Sequence, residues 1–168
     1  MAGAEKPENA TIKRADRADI PTLKERFEES GSYLAPWVFP PKDMVRFVSG
    51  PDHLLLVMSG GQIAGYYKLS AIIRGVLQQA FLGYAAFPPF AGKGYMSAGL
   101  VLVLDYAFGE LMLHRIEANI QPGNERSKAL VEGAGFIREG YSKNYLQINN
   151  VWKDHERWAI SREIWEKR

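Results

Sequence analysis

The 168-residue chain is 46% hydrophobic and has no cysteine; this is enough apolar material for one α/β core, and it excludes disulfide frameworks, thiolate metal sites and a cysteine nucleophile. Lysine and arginine number 21 against 19 acidic residues, a net charge of +2. That balance excludes attraction of nucleic acid or membrane by a large overall field, so a phosphate-bearing ligand has to be held by a local device. No apolar leader opens the chain and its longest apolar runs, such as residues 54–58, are too short to span a bilayer. A soluble, cytoplasmic protein without membrane or nucleic-acid partners is expected.

Residues 1–10 are small, polar and charged, the composition of a flexible tail, and residues 11–168 are expected to form a single domain. Asp16 is a candidate N-cap for an amphipathic helix through Ile20, Leu23 and Phe27, with Ser30 and Gly31 as its stop. Residues 33–41 read as an aromatic, proline-broken loop that can line a substrate mouth, followed by a short helix over 43–48. Residues 53–58, 62–73 and 77–87 read as an antiparallel meander turning at Gly60, Gly61 and Gly75. The period then changes: Leu100, Val101, Leu104, Ala107, Phe108 and Leu111 make a helical stripe over 97–111. A strand over 114–121, a helix over 125–134 closed by Gly135, and a hairpin of 141–148 and 151–160 complete the chain. Asn149 and Asn150 suit the positive φ angles of a two-residue hairpin turn. The fold class is mixed α/β.

The most informative segment is the turn Phe87-Pro88-Pro89-Phe90-Ala91-Gly92-Lys93-Gly94-Tyr95-Met96-Ser97, between a strand and the long helix. Glycines 92 and 94 let backbone N–H groups converge without Cβ obstruction, and the helix start favours an anion such as a pyrophosphate, with Lys93 adding a point charge. The same residues serve equally well as a sharp strand-to-helix connection. Neither a G-x-G-x-x-G fingerprint nor a P-loop is present.

A second segment, Leu113-His114-Arg115-Ile116-Glu117-Ala118-Asn119 through Asn124-Glu125-Arg126-Ser127 to Gly135-Phe136, together with the glycine turn and the ending Trp152-Lys153-Asp154-His155-Glu156-Arg157-Trp158, resembles the GNAT superfamily of N-acetyltransferases, in particular its RimJ/RimL branch of ribosomal-protein N-terminal (alanine) acetyltransferases. The resemblance is carried by the second half of the chain. It implies a mainly antiparallel, splayed sheet flanked by helices, with acetyl-CoA as cosubstrate. The pantetheine arm would lie in the splay against the backbone of Ala85, Ala86 and Phe87, and the pyrophosphate on amides of Gly92, Lys93, Gly94, Tyr95, Met96 and Ser97. It further implies a protein or peptide N-terminus as acceptor, possibly ribosomal, and is compatible with a homodimer. Two residues depart from the family's glycine motif: Ala91 stands where Gln or Arg is usual, and Met96 where Gly or Ala is. Ala98 stands where this branch often has Glu.

Acetyl transfer needs a neutral amine, a polarised thioester carbonyl and a proton for the departing thiolate. The strand over 78–87, where many GNAT enzymes carry a basic Glu, has no carboxylate, leaving Glu117, Glu139, Asp154 and Glu156 as candidates. The tyrosine acid of many members is replaced by Val131. The spacing of Asn124 and Ser127 fits RimL-like enzymes, which implies CoA contact for Asn124 and proton donation to the thiolate for Ser127; on residues alone the pair is an ordinary helix cap. His53, His114 and His155 lack metal-ligand spacing, and no metal is expected. Trp37, Trp152 and Trp158 read as core or hairpin-packing residues. Two other functions fit the same residues: acetylation of a small amine such as a polyamine, amino acid or antibiotic, and a catalytically weak CoA-binding module.

Overall fold

The computed structural model describes Pro7 and residues 10–168; most of the expected N-terminal tail, residues 1–6, 8 and 9, lies outside the described residues. One seven-stranded sheet runs through it in the order β1-β2-β3-β4-β5-β7-β6. Its strands are β1 (Thr11–Arg14), β2 (His53–Ser59), β3 (Gln62–Ile73), β4 (Gln79–Ala86), β5 (Arg115–Ile120), β6 (Ile137–Ile148) and β7 (Val151–Ser161). Every neighbouring pair is antiparallel except β4 and β5.

Continuous apolar runs make the central strands buried on both faces. On one face α4 (Tyr95–Asp105) lays Leu100, Val103 and Leu104 over Leu55, Val57, Tyr67 and Leu69, and α5 (Glu125–Gly133) adds Val131. On the other, α1 (Ile20–Glu29) and α3 (Met44–Ser49) bury Leu23, Phe27, Met44 and Val48 against Leu54, Leu56, Tyr66 and Phe87. Phe27 anchors this second core, its ring edge-on to Phe87 at 5.3 Å and to Phe47 at 6.0 Å. Among the described residues no helix is long and apolar enough to cross a membrane.

The structure differs from the sequence reading in several places. Asp16 does cap, accepting from the Ala18 N–H at 2.7 Å, but what it caps is a 3-10 turn (Arg17–Asp19), and α1 follows. α1 ends at Glu29 with Ser30 as its C-cap, as read, but Gly31 starts a second, short helix α2 (Gly31–Leu34), so Tyr33 and Leu34 are helical and not part of the loop. The stripe helix begins two residues early and its last turn is a π-helix (Tyr106–Glu110). A final helix, α6 (Arg162–Glu166), was not expected; Arg162 ties it to the carbonyls of Phe108 and Leu113 at 2.7 and 2.9 Å. Trp158 is core as read, whereas Trp152 is 58% exposed on the hairpin.

The parallel pair places the site. β4 and β5 share only the register Gln79↔Arg115, Ala80↔Ile116 and Phe81↔Glu117. Gln78 closes the vertex, its carbonyl accepting from the His114 and Arg115 N–H groups at 2.7 and 3.1 Å. Beyond Phe81 and Glu117 the two strands are not paired, and the sheet opens as a fork.

Gly99 sets how closely α4 sits on the strands beneath the fork, because a Cβ there would stand 2.6 Å from Val57 Cγ2. Overpacking at the upper part of its usual range, about 2–3 kcal/mol, outweighs a helix-propensity gain of about 1 kcal/mol, so Gly99→Ala lowers stability by a net of about 1–2 kcal/mol, and Val57→Ala in the same chain restores part of the loss. Urea denaturation measures both; a Gly99→Ala variant as stable as the parent would contradict this packing.

Candidate active site

Successive residues of a strand turn their backbone groups to opposite sides. The Phe87 N–H donates to Ala64 O at 2.9 Å, and Phe87 O accepts from the Phe90 N–H at 2.9 Å. Both backbone groups of Phe87 are thus engaged within the protein, and by alternation Ala85 also faces β3. Of the three residues read as pantetheine contacts, Ala86 is the one whose N–H and C=O face the fork, joined by Tyr84 one step back. Ala85 and Phe87 instead supply apolar side chains to the core under α1.

At the outer end of this arm the chain makes the glycine turn. Gly92 and Gly94 have φ of 75° and 85°, the left-handed region, and the space a Cβ would fill at Gly92 is open. Gly94 is the N-cap of α4 and brings no side-chain acceptor, and the first helical bond is Ala98 N–H to Gly94 O at 3.0 Å. The amides of Gly92, Gly94, Tyr95, Met96 and Ser97 have no backbone acceptor among the described residues, while that of Lys93 turns inward to Phe90 O at 3.4 Å. An uncapped 11-residue helix with converging amides fits a pyrophosphate. The Met96 departure has a structural partner: its sulfur occupies the space where a Cβ on Gly65 would lie 2.5 Å away, so a larger residue at 96 is matched by a glycine on β3.

Tyr84 and Ser127 meet across the fork. Ser127 lies one turn into α5, where Asn124 Oδ1 accepts from its N–H at 3.2 Å, so the helix-cap role of Asn124 is realised. Ser127 Oγ stands 2.5 Å from the Tyr84 hydroxyl. The Tyr84 ring lies against Tyr67, 5.4 Å between centroids, and the Tyr67 hydroxyl donates to Met96 O at 2.8 Å. Burial pushes both phenols well above their ordinary range, so both stay protonated. Val131, one turn beyond Ser127, is fully buried in the core. Sequence reasoning missed Tyr84; its strand was visible, but which face it used and its partner 43 residues away were not.

Each of the four carboxylates considered as a base is already engaged. Glu117, 7% exposed, pairs with Arg115 at 3.0 Å, and Arg115 also grips Glu139 at 3.0 and 2.6 Å. The bonds from Arg115 hold the Glu139 carboxyl below the usual carboxylate range. Asp154 accepts from the Asn144 N–H at 2.8 Å and the Tyr141 hydroxyl at 2.7 Å, which lowers its pKa and pins the bulge of β6. Glu156 accepts from Trp158 Nε1 at 3.2 Å and pairs with Arg138 at 3.3 Å. His155 is buried, and its Nδ1 donates to Lys153 O at 2.9 Å, which leaves Nε2 with the free lone pair; burial pushes its pKa below the ordinary value.

Since Ile116, Ala118 and Ile120 belong to the core beneath α4, alternation puts Glu117 and Asn119 on the opposite face, with Arg157 directly across from Asn119. The aromatic loop after α2 crosses the end of β5, where Pro36 O accepts from Gln121 Nε2 at 3.2 Å and Ala35 O from Asn149 Nδ2 at 2.9 Å. A groove of about 420 Å³ there is lined by Trp37, Gln121, Gly123, Trp152 and Lys153. A larger one, about 680 Å³, lies between α1 and α3 and includes no residue of the fork.

Gly94→Ala forces a side chain into the left-handed region at about 1–2 kcal/mol, and CoA affinity by titration calorimetry is expected to fall about tenfold. Unchanged affinity in a folded variant would contradict the cradle.

Residues 11–137 match the family described as "Acetyltransferase (GNAT) domain". A probable N-acetyltransferase, YjcK, of Bacillus subtilis is 45% identical over 106 residues, 63% of this chain and 59% of that protein. The [ribosomal protein uS5]-alanine N-acetyltransferase of Escherichia coli is 36% identical over 104 residues, 62% of this chain and 54% of that protein. These matches span little more than half of either relative. Among solved structures, Mycobacterium smegmatis RimJ in complex with CoA-disulfide superimposes with a TM-score of 0.83 at 26% identity, covering 92% of this chain and 82% of that one. The spermidine N-acetyltransferase of Vibrio cholerae with CoA and spermine gives 0.78 at 20% identity, covering 94% and 98%, and shares the fold.

Proposed function

This chain belongs to the GNAT acetyltransferase domain family, and on that premise we propose that it transfers the acetyl group of acetyl-CoA directly to the N-terminal α-amine of a protein, with a ribosomal protein beginning in Ala or Ser as the first candidate. The observation that carries the reading is the fork: one arm of β4 with free backbone groups, leading from an amide cradle to the hydroxyl of Ser127. When bound, acetyl-CoA supplies the activated acetyl group. The amides of Gly92, Gly94, Tyr95, Met96 and Ser97 hold its pyrophosphate, Ala86 orients its arm, and Ser127 donates a proton at its sulfur.

That Glu117, Glu139, Asp154 and Glu156, the four candidate bases, are all engaged favours an α-amine. Its reference pKa is about 7.7–8.0, so a useful fraction is neutral near pH 7, whereas a lysine at about 10.4 needs a stronger base. Electrostatics on the face opposite α4 disfavour a polyamine. Glu117 and Glu139 share Arg115, and Arg157, which has no ion pair among the described residues, supplies the second positive charge near Glu139; a polycation needs uncompensated carboxylates.

Free CoA release from acetyl-CoA is measured with peptides beginning in Ala, Ser, Met or Gly beside spermidine, free amino acids and an aminoglycoside, with mass spectrometry locating the acetyl group. Preferential α-amine acetylation of Ala or Ser peptides is the expected outcome. Preference for a small amine would transfer the enzyme to that substrate class, and CoA binding without turnover on any amine would make it a binding module. Ser127→Ala should cut turnover about 100-fold with CoA affinity nearly unchanged.

A further inference from the structure

The contact between Tyr84 and Ser127 is more than a latch between a strand and a helix. Tyr84 lies three residues past Phe81, the last residue of β4 paired with β5, and its hydroxyl reaches over the open part of the fork to α5. Its oxygen is 2.5 Å from Ser127 Oγ and 3.5 Å from Ser127 O, so the side-chain oxygen is the close partner. The phenol is also aimed: its ring packs on Tyr67, and Tyr67 in turn is fixed by its bond to Met96 O in the first turn of α4. A line of contacts thus runs from the amide cradle to the serine.

We propose that Tyr84 is the positioning residue for acetyl transfer, donating its O–H to Ser127 Oγ so that the serine's own proton is the one presented to the thioester sulfur. The inference rests on the reading of Ser127 as the donor to the thiolate. A serine near a helix start otherwise tends to turn its proton back to a carbonyl of the preceding turn. A phenol that stays protonated across the neutral range occupies one lone pair of Oγ and leaves the serine proton free to turn toward the fork.

In the transfer, the amine nitrogen bonds to the acetyl carbon and the C–S bond breaks with its electron pair going to sulfur. Ser127 gives its proton to that sulfur, and Tyr84 gives its own to Ser127 Oγ. Solvent accepts the proton the amine sheds and returns one to Tyr84. The products are the amide and the free thiol of CoA, with no charge left on the protein.

The test compares Tyr84→Phe, Ser127→Ala and the double variant, each shown folded by its thermal transition, using whichever amine the substrate panel identifies. Tyr84→Phe is expected to lower kcat about 10–100-fold while KM for acetyl-CoA shifts less than about threefold, and the double variant should be no slower than Ser127→Ala alone, because the two hydroxyls act as one unit. Ser127→Thr, which keeps the hydroxyl, should retain more turnover than Ser127→Ala. A Tyr84→Phe variant with unchanged kcat, or with a raised KM and lowered thermal transition alone, would show a structural latch and overturn the proposal while leaving Ser127 in place. Multiplicative losses in the double variant would also overturn it. Unchanged turnover in Ser127→Ala would instead remove the reading on which it rests.

Discussion

Everything functional in this molecule depends on where the pairing between β4 and β5 stops. Three residues on each strand are joined, from Gln79 to Phe81 and from Arg115 to Glu117, and the sheet is otherwise continuous on both sides. A parallel pair left unzipped exposes backbone donors and acceptors that a fold ordinarily satisfies. The cost is tolerable only where water or a ligand replaces the missing strand. The closed end is correspondingly well secured: Gln78 O takes two N–H groups, and Arg115 spans β5 and β6 through Glu117 and Glu139.

The two faces of the fork have different chemistry. On the α4 side the lining is mainly apolar, interrupted by the hydroxyls of Tyr67, Tyr84 and Ser127, the amides of the glycine turn and the paired Glu156 across from Ile120. On the opposite side β5 and β7 present Glu117, Asn119 and Arg157, beneath a loop pinned by Gln121 and Asn149. Such a division suits a reaction in which a long anionic cosubstrate enters from one side and the neutral amine of the acceptor from the other. It also explains why the carboxylates near the fork are paired: an uncompensated charge on a buried strand costs several kcal/mol, and Arg115 removes that cost for Glu117.

Features set by local chemistry were legible in the sequence. Strand β3 has the bounds its turns predict, and Asn149 and Asn150 adopt φ of 50° and 64°, as a two-residue hairpin requires. Gly92 and Gly94 are left-handed where the turn needs them. Whatever depends on distant partners was hidden. The capacity of Gly31 to restart a helix, the anchoring of α6 by Arg162 across 49 and 54 residues, and the bond between Tyr84 and Ser127 are tertiary facts with no local pattern. The candidate bases show the same limit. Glu139 and Asp154 read as free carboxylates until the partners Arg115 and Asn144 appear. The departure of Met96 from the glycine motif becomes intelligible only beside Gly65 on another strand.

The central claim is that the open arm of β4 and the glycine turn together receive the cosubstrate. Backbone hydrogen exchange with and without CoA tests it most directly, because the groups in question are amides. The account predicts slowed exchange on CoA binding at Ala86 and through Gly92, Gly94, Tyr95, Met96 and Ser97, with Phe87, already bonded to Ala64, little changed. Binding of CoA that leaves those amides exchanging as before, with protection appearing between α1 and α3 or elsewhere, would contradict it.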